Sequence, residues 1–149
     1  MIKRLSHTDP SMAGLIYQVF QVSYAIEAGL LRSDDFPPLK RTVNDIQQSK
    51  TAFYGYWKRE KLTGVIEIRS SQSKTHICSL TVDPDHFRQG IALELLEFAI
   101  KSYPSARYTV ETGLKNAPAV SLYENFGFIR QKTYIADAGI EKVAFSLEK

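Results

Sequence analysis

Two stretches of this sequence carry residue types whose spacing suits the binding of an anion. Leu80–Leu93 reads LTVDPDHFRQGIAL: a run of β-formers ends at Val82, Pro84 marks a turn, and Gly90 opens an amphipathic run. A strand-to-helix junction of this kind leaves backbone N–H groups free at the helix N-terminus, where the helix dipole favours negative charge. Gly90 has no side chain to keep a phosphate away, Ala92 keeps the next inward position small, and Arg88 adds a permanent positive charge. Gly90 alone is equally what a tight turn requires, so this stretch does not decide the matter by itself. The second stretch, Asn116–Phe128, reads NAPAVSLYENFGF. Asn116 suits an N-cap, Pro118 the first turn and Gly127 the C-terminal end, while Ala119, Leu122, Tyr123 and Phe126 share a helical face. Capping and core packing account for each of these residues, yet Asn116 and Tyr123 also bring hydrogen-bonding groups. His76 titrates near neutrality, and Glu67 and Glu111 are further proton acceptors. Cys78 has no neighbour in sequence that would activate its thiol and reads as a small core residue.

The elements that must position these groups follow from periodicity and turn chemistry. A strand is expected over Ile2–Leu5. Asp9 then caps a helix with Pro10 in its first position, and apolar residues at helical spacing continue it over Met12–Leu31, with an end near Gly29. SDDFPPLKR is a turn-rich break, and Asn44–Gln48 forms a second, short helix. Thr51–Lys58 and Leu62–Arg69 flank Arg59–Lys61 as an antiparallel hairpin, and His76–Val82 is a third strand. Gly90–Tyr103 is a helix with Ile91, Ala92, Leu95, Leu96, Phe98 and Ala99 on one side, stopped by Pro104. Tyr108–Glu111 is a strand, Pro118–Phe126 a helix and Phe128–Ile135 a strand. Asp137–Gly139 turn into a last strand, Glu141–Leu147. Antiparallel runs with one β-α-β stretch imply an α/β (α+β) fold: a mixed, mostly antiparallel sheet of six to seven strands with helices on both faces.

Size and composition narrow the class. A chain of 149 residues suits one domain, 1–149, and 44% hydrophobic residues can fill its core. A net charge of +3 with scattered basic residues gives no nucleic-acid footprint. One cysteine permits no internal disulfide, which suits a cytoplasmic setting. MIKRLSHTDP lacks the apolar core of a signal peptide, and no apolar stretch approaches the roughly 20 residues of a membrane span.

Taken together and in this order, the two stretches resemble the GNAT superfamily of N-acetyltransferases. The first resembles the pattern V-x-P followed by R/Q-x-x-G-x-G/A, standing here as Val82-Asp83-Pro84 and Phe87-Arg88-Gln89-Gly90-Ile91-Ala92. The second resembles N-x-x-A-x-x-L-Y-x-x-x-G-F, with Asn116, Ala119, Leu122, Tyr123, Gly127 and Phe128. One position departs: Phe87 stands where the family has Arg or Gln, leaving Arg88 and Gln89 just beyond. The resemblance implies a sheet splayed in its middle, between the strand ending at Val82 and the one starting near Tyr108. It implies that acetyl-CoA is the co-substrate, with its pantetheine arm pairing with backbone around Leu80 and Val82. The backbone of Arg88, Gln89, Gly90, Ile91 and Ala92 would hold the pyrophosphate, Asn116 would bond the pantetheine, and Tyr123 would sit near the sulfur.

The implied activity is acetyl transfer to a primary amine, of a small molecule or of a peptide or protein, by direct attack in a ternary complex. Tyr123 is expected to protonate the leaving thiolate. His76 stands 14 positions ahead of Gly90, where family members often have a glutamate base; Glu67, Glu111 and water remain alternatives. The acceptor end implied by the family carries Tyr17, Phe20, Tyr24, Phe36, Tyr134 and Asp137–Gly139. Phe20 is expected in the core, and Asp34 and Asp35 could draw a cationic amine. A homodimer is compatible with the family; nucleic acid, membrane and metal are not expected. The alternative class is a non-catalytic module that senses acyl-CoA.

Overall fold

The computed structural model describes residues 1–149. Its strands are β1 (Ile2–Arg4), β2 (Ala52–Lys58), β3 (Lys61–Ser70), β4 (Lys74–Val82), β5 (Arg107–Gly113), β6 (Ile129–Ile135) and β7 (Glu141–Glu148). Its helices are α1 (Pro10–Leu31), α2 (Val43–Gln48), α3 (Ile91–Ser102) and α4 (Ala117–Phe126). The seven strands form one sheet in the order β1-β2-β3-β4-β5-β7-β6. Every neighbouring pair is antiparallel except β4–β5, which is parallel and joined by α3.

Local chemistry explains the boundaries. Asp9 Oδ2 accepts the Met12 N–H at 3.1 Å, so α1 starts at Pro10, two residues before the apolar run begins. The helix passes Gly29 and ends where Arg32 adopts φ 54°, its N–H returning to the carbonyls of Ala28 and Gly29. The left-handed terminus expected of a glycine is thus supplied by an arginine. Thr42 and Asp45 bond each other's backbone N–H and start α2. β3 is buried from Leu62 to Ile68 without alternation, because helices cover both faces of the sheet around it.

The core has two main parts, one per face. Ile66, Ile68, Ile77, Tyr108, Val110, Val143 and Phe145 pack with Leu95, Leu96 and Tyr123 from α3 and α4. Phe53, Leu62 and Val65 pack with Ile16, Val19 and Phe20 of α1 and Ile46 of α2, which places Phe20 in the core as its helical spacing predicts.

Two irregularities shape the middle of the sheet. β4 pairs with β5 only from Lys74↔Arg107 to Ile77↔Val110; beyond that rung the strands diverge. Opposite β3, the register jumps from Glu67↔Ser79 to Ile68↔Ile77, so Cys78 is the extra residue of a β-bulge. The bulge overturns the regular alternation that would put His76, Cys78 and Leu80 on one face. Ser79 instead reaches Glu67, while Leu80 packs against the α3/α4 core. Cys78 is half-buried at the bulge rather than a core residue, and Arg69 Nη1 lies 3.9 Å from its sulfur.

Candidate active site

The divergence of β4 and β5 opens a cleft of about 460 Å³. Leu80, Thr81 and Val82 form its β4 wall, and Asn116, Pro118, Ala119, Leu122 and Tyr123 form the wall toward α4. The β4–α3 loop contributes His86, Phe87, Arg88, Gly90, Ile91 and Ala92. Separated parallel strands leave N–H and C=O groups on their facing edges without partners, which suits a slender ligand carrying amides of its own.

The chemistry of the loop end suits negative charge. Gly90 holds φ 78° as the N-cap of α3, and Arg88 holds φ 63° two residues before it. The Glu94 N–H is the first of α3 to find a helical carbonyl, that of Gly90 at 3.0 Å, so the N–H groups of Ile91, Ala92 and Leu93 remain free for an anion. A Cβ at Gly90 would meet nothing within 4 Å, so the space before these donors is open. Gln89 does not line the cleft; its side-chain oxygen accepts from Lys58 Nζ.

Tyr123 is 4% exposed and held edge-on to Phe128, with ring centroids 5.7 Å apart. Burial, and secondarily the charge of Glu27, raises its pKa far above that of a free phenol, so it keeps its proton at any physiological pH. Asn116 accepts the Ala119 N–H at 3.3 Å through Oδ1, which commits its oxygen to capping α4 and leaves its NH₂ for another partner.

The basic candidates fall outside the cleft. His76 sits on the third rung of the paired β4–β5 segment, with Nδ1 2.7 Å from Thr109 Oγ1. Burial first, then the positive charge of Arg69, lowers its pKa, so its ring is neutral at pH 7. Glu67 is 2% exposed and saturated: Arg41 donates two bonds at 2.7 and 3.0 Å, and the hydroxyls of Thr51, Ser49 and Ser79 donate three more. Glu111 is exposed and accepts from the Tyr134 hydroxyl.

Of the residues expected at the acceptor end, Phe36 is core at 4% exposure, Tyr17 packs on the α1 side of the sheet, and Asp35 pairs with Lys40 at the surface. Tyr24 does line the cleft. So does Glu27, a residue the motifs do not single out. The signal was present: Ser23, Ile26, Glu27 and Leu30 follow i, i+3, i+4, i+7 spacing along α1, and all four face the cleft.

Comparison with known proteins fits this geometry. A family model described as an acetyltransferase (GNAT) domain matches residues 34–149. The UPF0157 protein YqkA of Bacillus subtilis is 38% identical over 148 residues, 99% of this chain and 43% of that protein. An N-alpha-acetyltransferase of Saccharolobus solfataricus is 33% identical over 82 residues, 50% of this chain and 49% of that protein. The chain therefore spans just under half the length of these curated relatives. Among solved structures, the ribosomal-protein-S18-alanine N-acetyltransferase of Escherichia coli superposes with a TM-score of 0.77 at 20% identity, covering 99% of this chain and 92% of that one. The PaiA N-acetyltransferase of Thermoplasma acidophilum, in complex with coenzyme A, gives 0.79 at 16% identity over 100% of this chain and 98% of that one. At such identities the structures establish the fold alone. No helix is long and apolar enough to cross a membrane.

Proposed function

This chain belongs to the GNAT acetyltransferase family, and from that premise we propose that it moves an acetyl group from acetyl-CoA directly onto a primary amine, both substrates being bound together. The observation that carries this reading is the cleft itself. It joins the free N–H groups of α3 and Arg88 to unpaired strand edges and a protonated, buried Tyr123. Acetyl-CoA would supply an activated thioester carbonyl. The chain's residues fit it: the loop before α3 suits the diphosphate, the separated edges of β4 and β5 suit the amides of the arm, and the Asn116 NH₂ suits its carbonyl.

The chain's own work is positioning and proton traffic. β4 N–H groups beyond the bulge face the gap and can steady the carbonyl oxygen as it gains charge. Tyr123 gives its proton to the departing sulfur. The amine must arrive at the carbonyl neutral, since an ammonium has no lone pair. In this reading His76 takes the proton through water, because it stands one rung before the strands part and keeps a neutral ring.

Thiol release from acetyl-CoA, propionyl-CoA and succinyl-CoA over phenethylamine, spermidine and an alanine-led tripeptide tests the function. Release that depends on both an acyl-CoA and an amine is expected. Tight CoA binding with no amine-dependent release would make the chain a sensor rather than an enzyme.

Two variants test parts of the site. Gly90→Val puts a β-branched side chain at φ 78°, in the open space before the α3 donors, and is expected to weaken CoA binding at least about tenfold, or about 1.4 kcal/mol. Unchanged affinity by calorimetry in the folded variant removes the diphosphate from this loop. His76→Ala addresses the pH profile. Wild-type rate should fall with acid at a pKa below the ordinary 6.5, since burial and Arg69, Lys74 and Lys142 oppose protonation more than Glu111 favours it. The variant should lose that acidic limb and be slowest, relative to wild type, near neutrality. An identical limb in both proteins assigns the proton to another path.

A further inference from the structure

We infer that Glu27 is the residue that selects a cationic amine as acceptor, receiving the ammonium group in the cleft before the proton is lost. The inference rests on the acetyl-transfer reading above and names a determinant of its substrate class. Glu27 is the single carboxylate in the lining of the cleft, and Arg88 is the single guanidinium there. They belong to opposite arms of the fork: Arg88 follows β4, while Glu27 Oε2 accepts from Thr112 Oγ1 at 3.3 Å and Gly113 N at 3.4 Å on β5. The arm that follows β4 thus suits phosphates and the side that faces β5 a cation.

Glu27 is also free to act. Its Oε1 takes no hydrogen bond from the protein, and no lysine, arginine or histidine pairs with the carboxylate. The other carboxylates near the fork are engaged elsewhere, Glu67 with Arg41 and Glu111 with Tyr134. Tyr24 and Tyr123, which share the cleft lining, both feel the negative charge of Glu27, which adds to the rise that burial imposes on their phenols. An uncompensated carboxylate in a largely apolar cleft, close to the residue assigned to the sulfur, favours an acceptor that brings the missing positive charge.

Glu27→Gln is the test, because the amide keeps an oxygen for Thr112 and Gly113 while removing the charge. Two acceptors are compared: the fastest of phenethylamine, spermidine and the alanine-led tripeptide, and hydroxylamine, which is uncharged at pH 8. For the cationic acceptor kcat/KM is expected to fall between about tenfold and a hundredfold, the range for a charged hydrogen-bond partner. Binding of that amine to the CoA-loaded protein, measured by calorimetry, should weaken alongside. Hydroxylamine turnover and CoA affinity should stay within about threefold of wild type, and Glu27→Asp should recover part of the loss. An unchanged kcat/KM for the cationic amine overturns the inference. Equal losses with both acceptors overturn it too, because Glu27 would then serve the fold. A wild type that acylates no amine of the panel overturns the acetyl-transfer reading, and this inference with it.

Discussion

Tyr123→Phe is expected to lower kcat by roughly 10²-fold, the low end for removal of a general acid, with CoA affinity and thermal stability near wild type. The expectation separates the hydroxyl from the ring. The ring packs between Phe128 and Phe145, with centroids 5.7 and 5.8 Å away, and phenylalanine preserves both contacts. The hydroxyl makes no hydrogen bond within the protein, so its loss leaves no partner stranded. In the proposed reaction its partner is the departing sulfur. Single-turnover measurement of thiol release isolates the chemical step from product departure. A variant that releases thiol as fast as wild type would make Tyr123 a packing residue and leave the thiolate to depart unaided.

Arg41→Ala is expected to destabilise the fold by about 3 kcal/mol, the lower bound for stripping one partner from a buried ion pair, because the arginine is partly exposed while Glu67 is not. Arg41 also lies over Phe20 and Phe53, 5.7 Å from each ring centroid, so the connection between α1 and α2 is tied to the sheet through it. Denaturant midpoints measure the loss. A shift below about 0.5 kcal/mol would show that the five donors to Glu67 are redundant. Combining Arg41→Ala with Glu67→Gln should cost less than the two singles added, since the second change removes the charge the first one strands. The pair also fixes a pH dependence. Burial alone would raise the Glu67 pKa, but Arg41, with the hydroxyls of Thr51 and Ser79, outweighs it and holds the carboxyl below its ordinary 4.5. The stabilisation is therefore complete above pH 4.5 and declines as pH falls through the lower folded value. Arg41→Ala should flatten that acid-side decline.

What the sequence made legible was mostly local. Asp9, Asn116 and Pro104 mark helix ends because capping and proline sterics act within a few residues. The strand–loop–helix run from Leu80 to Ala92 and the face of α4 bearing Tyr123 were readable for the same reason, and they do line one cleft. The bulge was not readable. Cys78 becomes an extra residue only through pairing with β3, and that pairing joins residues far apart in the chain. Glu27 escaped for a different reason. The apolar positions of α1 run from Leu15 to Ile26 around more than one side, and its cleft-facing stripe mixes Ser23, Ile26, Glu27 and Leu30 and has no single polarity. A helix that serves a core on one side and a ligand on another blurs the period that sequence reading depends on. Gly29 misled similarly, since Arg32 takes the left-handed terminus, at a cost of about 1 kcal/mol.

Only four rungs, Lys74–Ile77 against Arg107–Val110, hold β4 to β5. Beyond them lies an edge inside the sheet, of the sort that proteins usually bury, charge or pair off because a foreign strand can add to it. Here α1 crosses one side and α4 stands on the other, so a whole strand with its side chains has little room, whereas a thin chain bearing amides can thread through. Whatever threads it also splints the two halves of the sheet. By mass action, a ligand at a hundred times its Kd adds about 2.7 kcal/mol to the stability of the fold it completes. In the proposed reaction the spent and unspent forms of CoA share one arm, so such a splint would stay in place through the transfer and leave only afterwards.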